Sequence, residues 1–301
     1  MPLYDGPVVD SHHHLFWDLK NYPWMDQPMR PMIFGDDWSA LKREYQVEDL
    51  KADFVTHNIV KSVHVQANFD IARPVDETAD LQEIADAHGF PQGIVGNADL
   101  TDPNLEVIIA GHREHANLRG IRQQVYWHPT NEYWRFVGRH DFCLSTSFRR
   151  GLSVLSDNNL TFDFQGFSSQ FGDLAMLAKE VSNLKICLVH AGMLTGTDDS
   201  SVNEWRDALR VLVPCENIFI KVSGLNTFTR TLDEPVMDIV ANTALDMFGA
   251  DRCFFGSNFP VEAMWTSFDA YTSMQKRVLA GRTGEENQKF FHDTALSFYE
   301  I

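Results

Sequence analysis

The chain has few basic residues and no basic segment. Its 301 residues carry 25 Lys and Arg against 42 Asp and Glu, a formal net charge of −17, and no basic run is interleaved with aromatic residues. Such a surface repels a phosphate backbone, so nucleic acid is not an expected partner. An anionic small molecule stays open, because arginines inside a cleft outweigh distant surface charges that salt screens over roughly 10 Å.

Paired cysteines, leader sequences and long apolar runs are also missing. The N-terminal "MPLYDGPVVDS" has no basic segment followed by an apolar one, and no apolar run is long enough to span a bilayer. No C-x-x-C pair occurs, which excludes a zinc ribbon and a disulfide framework. The four separate cysteines are Cys143, Cys187, Cys215 and Cys253. We therefore expect a cytoplasmic protein with reduced thiols, a small-molecule substrate and no membrane partner.

Linkers and low-complexity tracts are absent, and short β-rich runs alternate instead with longer segments of helical period. This alternation is typical of β/α units around a parallel sheet. The eight candidate strands are PVVDSH, IVKSVHVQ, GIVGNADL, RGIRQQV, LTFDFQ, KICLVHAG, NIFIKVSGL and RCFFGSNF. We predict an α/β protein with a single domain over residues 1–301, a (β/α)8 barrel. An open α/β fold is the alternative, although no G-x-G-x-x-G follows any strand.

Helix start and stop signals lie between these strands. Asp102 is the predicted N-cap of a helix with Pro103 in its first position, and Gly89 is predicted to end the preceding helix. The capping box "TGEE" at residues 283–286 predicts an extra C-terminal helix. The aromatic-rich loop of residues 15–42 is expected to cover the mouth of the barrel.

Three histidines close the first candidate strand, "VVDSHHHLFWD". Side chains alternate along a strand, so His12 and His14 share one face and His13 lies on the other. In a barrel of this type the functional groups lie at the C-terminal ends of the strands. We interpret His12 and His14 as a functional pair and His13 as structural. A hydrogen-bonded strand end or the remnant of a tag is the alternative.

Other strands end in polar side chains at the same rim. His190 follows the apolar run "ICLV" and is interpreted as functional, whereas His64 fits a structural or a functional role equally. Burying a lone guanidinium is costly, so Arg122 requires a carboxylate from the protein or from a ligand. Asp163 and Lys221, inside strands five and seven, are interpreted as a structural pair.

A series of motifs resembles the lactonase-like branch of the amidohydrolase superfamily, the amidohydrolase-2 type. This branch includes L-fuconolactonase, 2-pyrone-4,6-dicarboxylate lactonase and 4-sulfomuconolactone hydrolase. The motifs run in order over nearly the whole chain: "DSHHHLFWD", "VHVQANFD", "GIRQ", "LVHAGM", "VKVSGL" and "FGSNFPVE". The resemblance implies a (β/α)8 barrel that hydrolyses a small lactone. His12 and His14 match the strand-one pair, and His190 matches the strand-six histidine.

Two residues depart from the pattern of metal-dependent members. Gln165 ends strand five where a histidine is usual, and Asn258 ends strand eight where an aspartate is usual. An amide cannot accept a proton as a carboxylate does, so Asn258 is expected to orient a water and another group to act as the base. The candidate bases are His12, His14, His190 and Glu262.

The cofactor prediction depends on the three rim histidines and on the two changed positions. His12, His14 and His190 would supply three imidazoles to one divalent metal, zinc or manganese. Because two usual ligand positions are changed, we expect no required cofactor and keep the single metal ion as the alternative.

The resemblance and the rim residues together predict lactone hydrolysis, with catalytic roles for His12, His14, His190 and Asn258. The expected substrate-binding residues are Arg122, His64, Gln165, Trp17, Trp24, Tyr22, His128 and Glu262. Two alternatives stay open: a metal-dependent decarboxylase of an aromatic or muconate-type acid, and a barrel that binds a small molecule without catalysis. A homodimer is also left open.

Overall fold

The structure is a computed structural model that describes residues 3–29 and 32–301. Eight strands pair in parallel in the order β1 to β8. A parallel bridge between His13 and Phe259 brings the chain beyond β8 back to β1. The (β/α)8 barrel predicted from the alternating pattern is therefore confirmed.

All eight predicted strands are present in the barrel wall. Their bounds are β1 Val8–His13, β2 Ile59–Val65, β3 Gly93–Asn97, β4 Leu118–Gln124, β5 Thr161–Gln165, β6 Ile186–Leu188, β7 Ile218–Val222 and β8 Cys253–Phe255. The sixth is short because the backbone leaves the extended region at His190, where φ is 56°.

At least one helix follows each strand along the chain. The helices are α1 Pro23–Asp26, α2 Val47–Phe54, α3 Asp76–His88, α4 Leu105–His112, α5 Thr146–Asp157, α6 Phe171–Glu180, α7 Asp199–Arg210, α8 Asn226–Thr229, α9 Glu234–Phe248, α10 Phe268–Val278, α11 Gly284–Gln288 and α12 Thr294–Tyr299. Gly89 ends α3 in the left-handed conformation, as predicted. The predicted start of α4 was wrong: Asp102 accepts from the Asn104 N–H in a turn, and Asn104 is the N-cap.

The extra C-terminal helix is also present. Thr283 and Glu286 form the predicted capping box, with reciprocal hydrogen bonds of 3.2 and 2.9 Å. A π-helical turn, Lys289–Asp293, joins α11 to α12. Phe298 and Tyr299 of α12 are buried with strand residues such as Val9, so this segment contributes to the core of the barrel.

The long loop after β1 supplies side chains to the mouth of the barrel, although residues 30 and 31 lie outside the described residues. Phe16, Trp24, Ile33 and Phe34 line the cavity at this end of the barrel. In the described part of the chain, no helix combines the length and the apolar character that crossing a bilayer requires.

Candidate active site

A cavity of about 50 Å³ lies at the C-terminal ends of the strands. Polar side chains come from five different strand ends and apolar ones come mainly from the loops. The polar group includes His14, Arg122, Gln124, Gln165, His190 and Asn258. The sequence prediction placed the functional groups at this rim, and six of the twelve predicted site residues line the cavity.

Three imidazoles form one cluster: His14 and His190 line the cavity, and His12 packs against them without being a lining residue. The ring centroid of His12 lies 5.1 Å from that of His14 and 4.8 Å from that of His190. His12 is fully buried, and neither of its ring nitrogens has a hydrogen-bond partner among the described residues. Buried polar atoms are normally paired, so unpartnered nitrogens in this place indicate that a ligand supplies the missing bond.

Burial keeps these histidines uncharged. It lowers the pKa values of His12 and His14 well below the ordinary value, and neighbouring positive charges lower them further. The pKa of His190 falls to about 3, through burial first and then through the charges of Arg122 and Lys221. All three rings are therefore neutral near pH 7 and able to accept or donate a hydrogen bond.

Unusual backbone conformation positions His190. His190 and Ala191 have φ values of 56° and 48°, in the left-handed region that costs a residue with a Cβ atom about 1–2 kcal/mol. The Nδ1 atom of His190 lies 2.9 Å from Ser223 Oγ. A Cβ atom at Gly224 would lie 2.4 Å from the same nitrogen. The absence of a Cβ atom at Gly224 thus leaves the space that the His190 ring occupies.

Asn258 also has a left-handed backbone, with a φ of 62°. Its N–H donates to the carbonyl of His12 at 2.6 Å, which fixes the end of β8 against β1. Its amide lies between two groups: the Oδ1 atom is 3.3 Å from His14 Nε2, and the Nδ2 atom is 3.2 Å from Glu262 Oε1. Asn258 is therefore held from both sides at the cavity wall.

Glu262 lies behind Asn258 rather than in the cavity wall. It is fully buried, and its second oxygen accepts from the Asn226 N–H at 3.2 Å. Burial raises the pKa of Glu262 to about 8, although the hydrogen bonds from Asn258 and Asn226 oppose the shift. The carboxyl group is therefore mostly protonated at neutral pH.

With His14 neutral, the hydrogen bonds of this network also require a protonated Glu262. His14 Nδ1 lies 2.7 Å from the carbonyl of Val65, which only accepts, so this nitrogen carries the proton. A neutral His14 then has a lone pair at Nε2, which needs the NH2 group of Asn258. Exchanging the amide oxygen and nitrogen of Asn258 provides it, an assignment that follows from the network. The amide oxygen then faces Glu262, which must donate.

Arg122 carries positive charge into the same cavity. Its Nη2 atom donates to the carbonyl of Gln66, its Nε atom has no partner among the described residues, and the side chain is buried. Burial lowers the pKa of Arg122 to about 10, while the charge of Asp163 opposes the shift. Within residues 3–29 and 32–301, no carboxylate forms an ion pair with it. A ligand carboxylate or a developing oxyanion would supply the missing charge.

The two glutamines at the strand ends bond each other. Gln124 Nε2 donates to Gln165 Oε1 at 3.2 Å, and Gln165 Nε2 donates to Met193 Sδ at 3.5 Å. The Oε1 atom of Gln124 is buried and has no partner in the described part of the chain. This acceptor is available to a hydroxyl or N–H donor of a ligand in the cavity.

Several predicted substrate-binding residues are partnered elsewhere. His64 accepts from the Leu15 N–H at 3.2 Å and lies 3.4 Å from the buried carboxylate of Glu77. The Tyr22 hydroxyl donates to the carbonyl of Leu15 at 3.0 Å. These two side chains support the backbone that follows His14, and neither lines the cavity.

Trp17 and His128 are likewise not among the lining residues. Trp17 Nε1 donates to Asp80 at 3.1 Å, and His128 Nδ1 accepts from the Asn131 N–H at 3.1 Å. His128 lines a separate cavity of about 200 Å³. Trp24 does line the central cavity, as predicted for an aromatic wall.

His13 and the pair Asp163–Lys221 have structural roles, as interpreted from the sequence. His13 Nε2 lies 3.0 Å from Ser62 Oγ on β2, away from the other two histidines. Lys221 Nζ donates to Asp163 at 2.7 Å, and both side chains are fully buried.

Sequence reasoning missed some lining residues. Asn68, Met193 and Thr227 all contribute to the cavity but lie in loops or in the short helix α8, beyond the strand ends. Gly224 was missed as well, although a glycine directly after a strand is a detectable signal.

The donors at the rim do not converge on a position for a metal ion. His14 Nδ1 and His190 Nδ1 are occupied by Val65 and Ser223, which leaves only the Nε2 atom of each ring for a ligand. In the part of the chain that the structure describes, no group of three or more His, Cys, Asp or Glu side chains is arranged to hold a metal. The Arg122 charge further disfavours a second cation. The described residues thus give no support for a metal ion, and the expectation of no required cofactor stays a prediction.

The chain is similar to known proteins over its whole length. Residues 9–301 match the family model for Amidohydrolase. The chain is 34% identical to protein y4mH of Sinorhizobium fredii over 99% of both chains. It is 29% identical to L-fucono-1,5-lactonase of Burkholderia multivorans, over 97% of this chain and 96% of that protein. The crystal structure of a Burkholderia multivorans amidohydrolase with bound zinc has a TM-score of 0.82 and 28% identity, covering 98% of this chain and 100% of that one.

Proposed function

The chain belongs to the amidohydrolase family, and on that premise we propose that it is a lactonase that opens a small lactone by water attack on the ring ester. The observation that carries this proposal is a cluster of three neutral imidazoles, two of which line one cavity together with a guanidinium that has no carboxylate partner among the described residues. The similarity to an L-fucono-1,5-lactonase at 29% identity supports the same reaction class.

Each group has a role that its surroundings permit. Arg122 binds a substrate carboxylate or the oxyanion that forms at the ring carbonyl, because it lacks a carboxylate partner among the described residues. His12, whose ring nitrogens have no partner among the described residues, donates a hydrogen bond that polarises the carbonyl or orients the substrate, and His14 holds Asn258 in place. Asn258 orients the attacking water, since an amide accepts and donates hydrogen bonds without changing its charge.

Proton transfer is assigned to His190. Its Nδ1 atom is held by Ser223, which leaves Nε2 to face the cavity. The charge of Arg122 is one cause of the low pKa of His190. A substrate carboxylate or the developing oxyanion, paired with Arg122, would offset that charge and raise the basicity of the imidazole. His190 would then take a proton from water and return it to the leaving alkoxide.

The test is hydrolysis of a panel of aldonolactones and muconolactones, followed by acid release. We expect turnover by the wild type and a loss of roughly 10²–10⁴-fold in kcat for His190→Asn, the usual contribution of a general base. His140→Asn, at an exposed histidine, is the matched control. No turnover by the wild type, or undiminished turnover by His190→Asn, would contradict the proposal. Release of CO2 from an aromatic acid would instead identify a decarboxylase.

A further inference from the structure

A second, larger chamber adjoins the cavity on its outer side. It has a volume of about 570 Å³, against about 50 Å³ for the inner cavity. The two share five lining residues: Trp24, Ile33, Phe34, Asn68 and Gln124. Since the inner cavity has less than a tenth of the outer volume, any sizeable substituent on a bound substrate must extend into the outer chamber.

Apolar side chains that are exposed to solvent gather at this outer chamber. Ile71, from the loop after β2, is 82% exposed, and Tyr133 and Phe136, from the loop after β4, are 54% and 52% exposed. All three line the chamber, together with Phe69. Two separate loops thus contribute exposed apolar surface to one concave site, and such patches mark ligand-binding grooves.

The charged groups of the chamber are already engaged or negative. Arg135 donates to the carbonyls of His128 and Pro129 at 2.8 and 2.7 Å, and its guanidinium lies 4.4 Å from the Trp127 ring. Asp70 accepts from the Ala72 N–H at 3.0 Å. Among the described lining residues, two acidic side chains, Asp70 and Glu132, outnumber the single cation, Arg135, so the chamber does not favour an anionic extension.

From these features we infer that the outer chamber binds an apolar substituent of the substrate. The preferred substrates are then lactones with an alkyl or aryl side chain, whose ring ester lies in the inner cavity. Gln124, at the junction, accepts a hydrogen bond from a hydroxyl or N–H group near the ring. This inference rests on the proposed lactonase function and specifies its substrate class.

The test uses γ-lactones that differ only in their side chain: none, ethyl, butyl and hexyl. Burying a methylene group is worth up to about a fourfold gain in affinity. We therefore expect kcat/KM to increase by up to about fourfold for each added methylene, until the chamber is filled. A series without this increase would overturn the inference.

The double variant Ile71→Ser/Phe136→Ser tests whether the dependence of kcat/KM on side-chain length arises in the outer chamber. We expect the ratio of kcat/KM for the hexyl lactone over the unsubstituted one to fall at least about tenfold, because two apolar contacts are lost. Val107→Ser is the control, since Val107 is 73% exposed on α4, away from the chamber. An unchanged ratio in the double variant would contradict the assignment.

Two further outcomes distinguish failure of the inference from failure of the proposed function. If no lactone is hydrolysed, the proposed function fails, and equilibrium binding of the same series by calorimetry still tests whether affinity increases with chain length. If the double variant changes the oligomeric state and chain length has no effect, the patch is a subunit interface and the inference is wrong.

Discussion

Two buried polar clusters in the same barrel differ in how completely they are bonded. In the core cluster, defined as Asp163, Lys221 and Tyr299, Lys221 Nζ donates to the carboxylate at 2.7 Å and to the tyrosine hydroxyl at 2.6 Å. In the rim cluster, defined as His12, His14, His190, Arg122 and Asn258, both nitrogens of His12 and the Nε atom of Arg122 have no partner among the described residues.

This difference distinguishes a cluster that stabilises the fold from a cluster that is available to a ligand. An unpaired buried polar atom costs about 1–3 kcal/mol of folding stability. A protein that needed only a stable core would therefore bond every such atom, as in the core cluster. The rim cluster retains unbonded atoms where a substrate would bind. Mutation of the core cluster should therefore change stability, and mutation of the rim cluster should change activity.

The largest effect is expected for Lys221→Met. The change leaves the Asp163 carboxylate buried without its cation, which costs about 3–5 kcal/mol in the free energy of unfolding. Chemical denaturation measures it. The double variant Asp163→Asn/Lys221→Met should recover part of the loss, because the uncompensated charge is gone. A loss below about 1 kcal/mol would contradict the assigned structural role.

The next largest effect concerns the pH dependence of stability in Glu262→Gln. Glu262 has a pKa of about 8 in the folded protein against 4.5 ordinarily, so its contribution is complete below pH 4.5 and is lost as the pH rises toward 8. At about 1.4 kcal/mol for each pKa unit, the wild type loses up to about 4 kcal/mol over this range. Glutamine does not ionise, so the variant should show a flatter profile in denaturation series.

The same variant tests the role of Glu262 at the rim. A glutamine reproduces a protonated carboxyl group, so kcat at pH 7 should stay within about threefold of wild type, less than the 10²-fold or more expected for loss of a general base. A larger loss would mean that Glu262 is ionised and acts as the base. The pH–rate profiles of both proteins distinguish the two cases.

A smaller effect is expected for Gly224→Ala, which alters the rim without removing a polar atom. The new Cβ atom would lie 2.4 Å from His190 Nδ1 at a φ of 62°, so the imidazole must move. A misplacement of about 1 Å costs up to about 10²-fold in kcat. Gly138→Ala is the control, since a Cβ atom there meets nothing within 4 Å. Equal activity of the two variants would show that the His190 position is not critical.

The smallest effect is expected on removal of metal ions. Because the rim donors do not converge on a metal site in the described residues, we expect dialysis against a chelator to change kcat/KM by less than about twofold, well below the several kcal/mol that a catalytic metal contributes. Loss of activity that zinc or manganese restores would show that the unbonded histidine nitrogens serve a metal.

Much of the fold could be predicted because each strand and helix has a local signal. The apolar runs predicted all eight strands, and the capping box at Thr283 predicted the last helix. The start of α4 could not be predicted from Asp102 and Pro103, because an Asp side chain stabilises a turn as well as a helix cap.

The candidate site could be predicted only in part. His12, His14 and His190 are recognisable because a strand end has a known position in a barrel. The roles of His64 and Glu262 were not recognisable, since each depends on a partner distant in sequence or on its burial: Glu77 for His64, and enclosure behind Asn258 for Glu262.

The barrel, the rim to which the histidines belong and the family of the chain therefore follow from the sequence, because periodicity and motifs can be recognised along the chain. Which buried atoms are bonded depends on the three-dimensional structure. It left His12 without a partner among the described residues, held Asn258 between His14 and a protonated Glu262, and joined two loops into an apolar outer chamber. Hydrogen bonding and desolvation depend on every neighbour in space, and most of these neighbours are far apart in the chain.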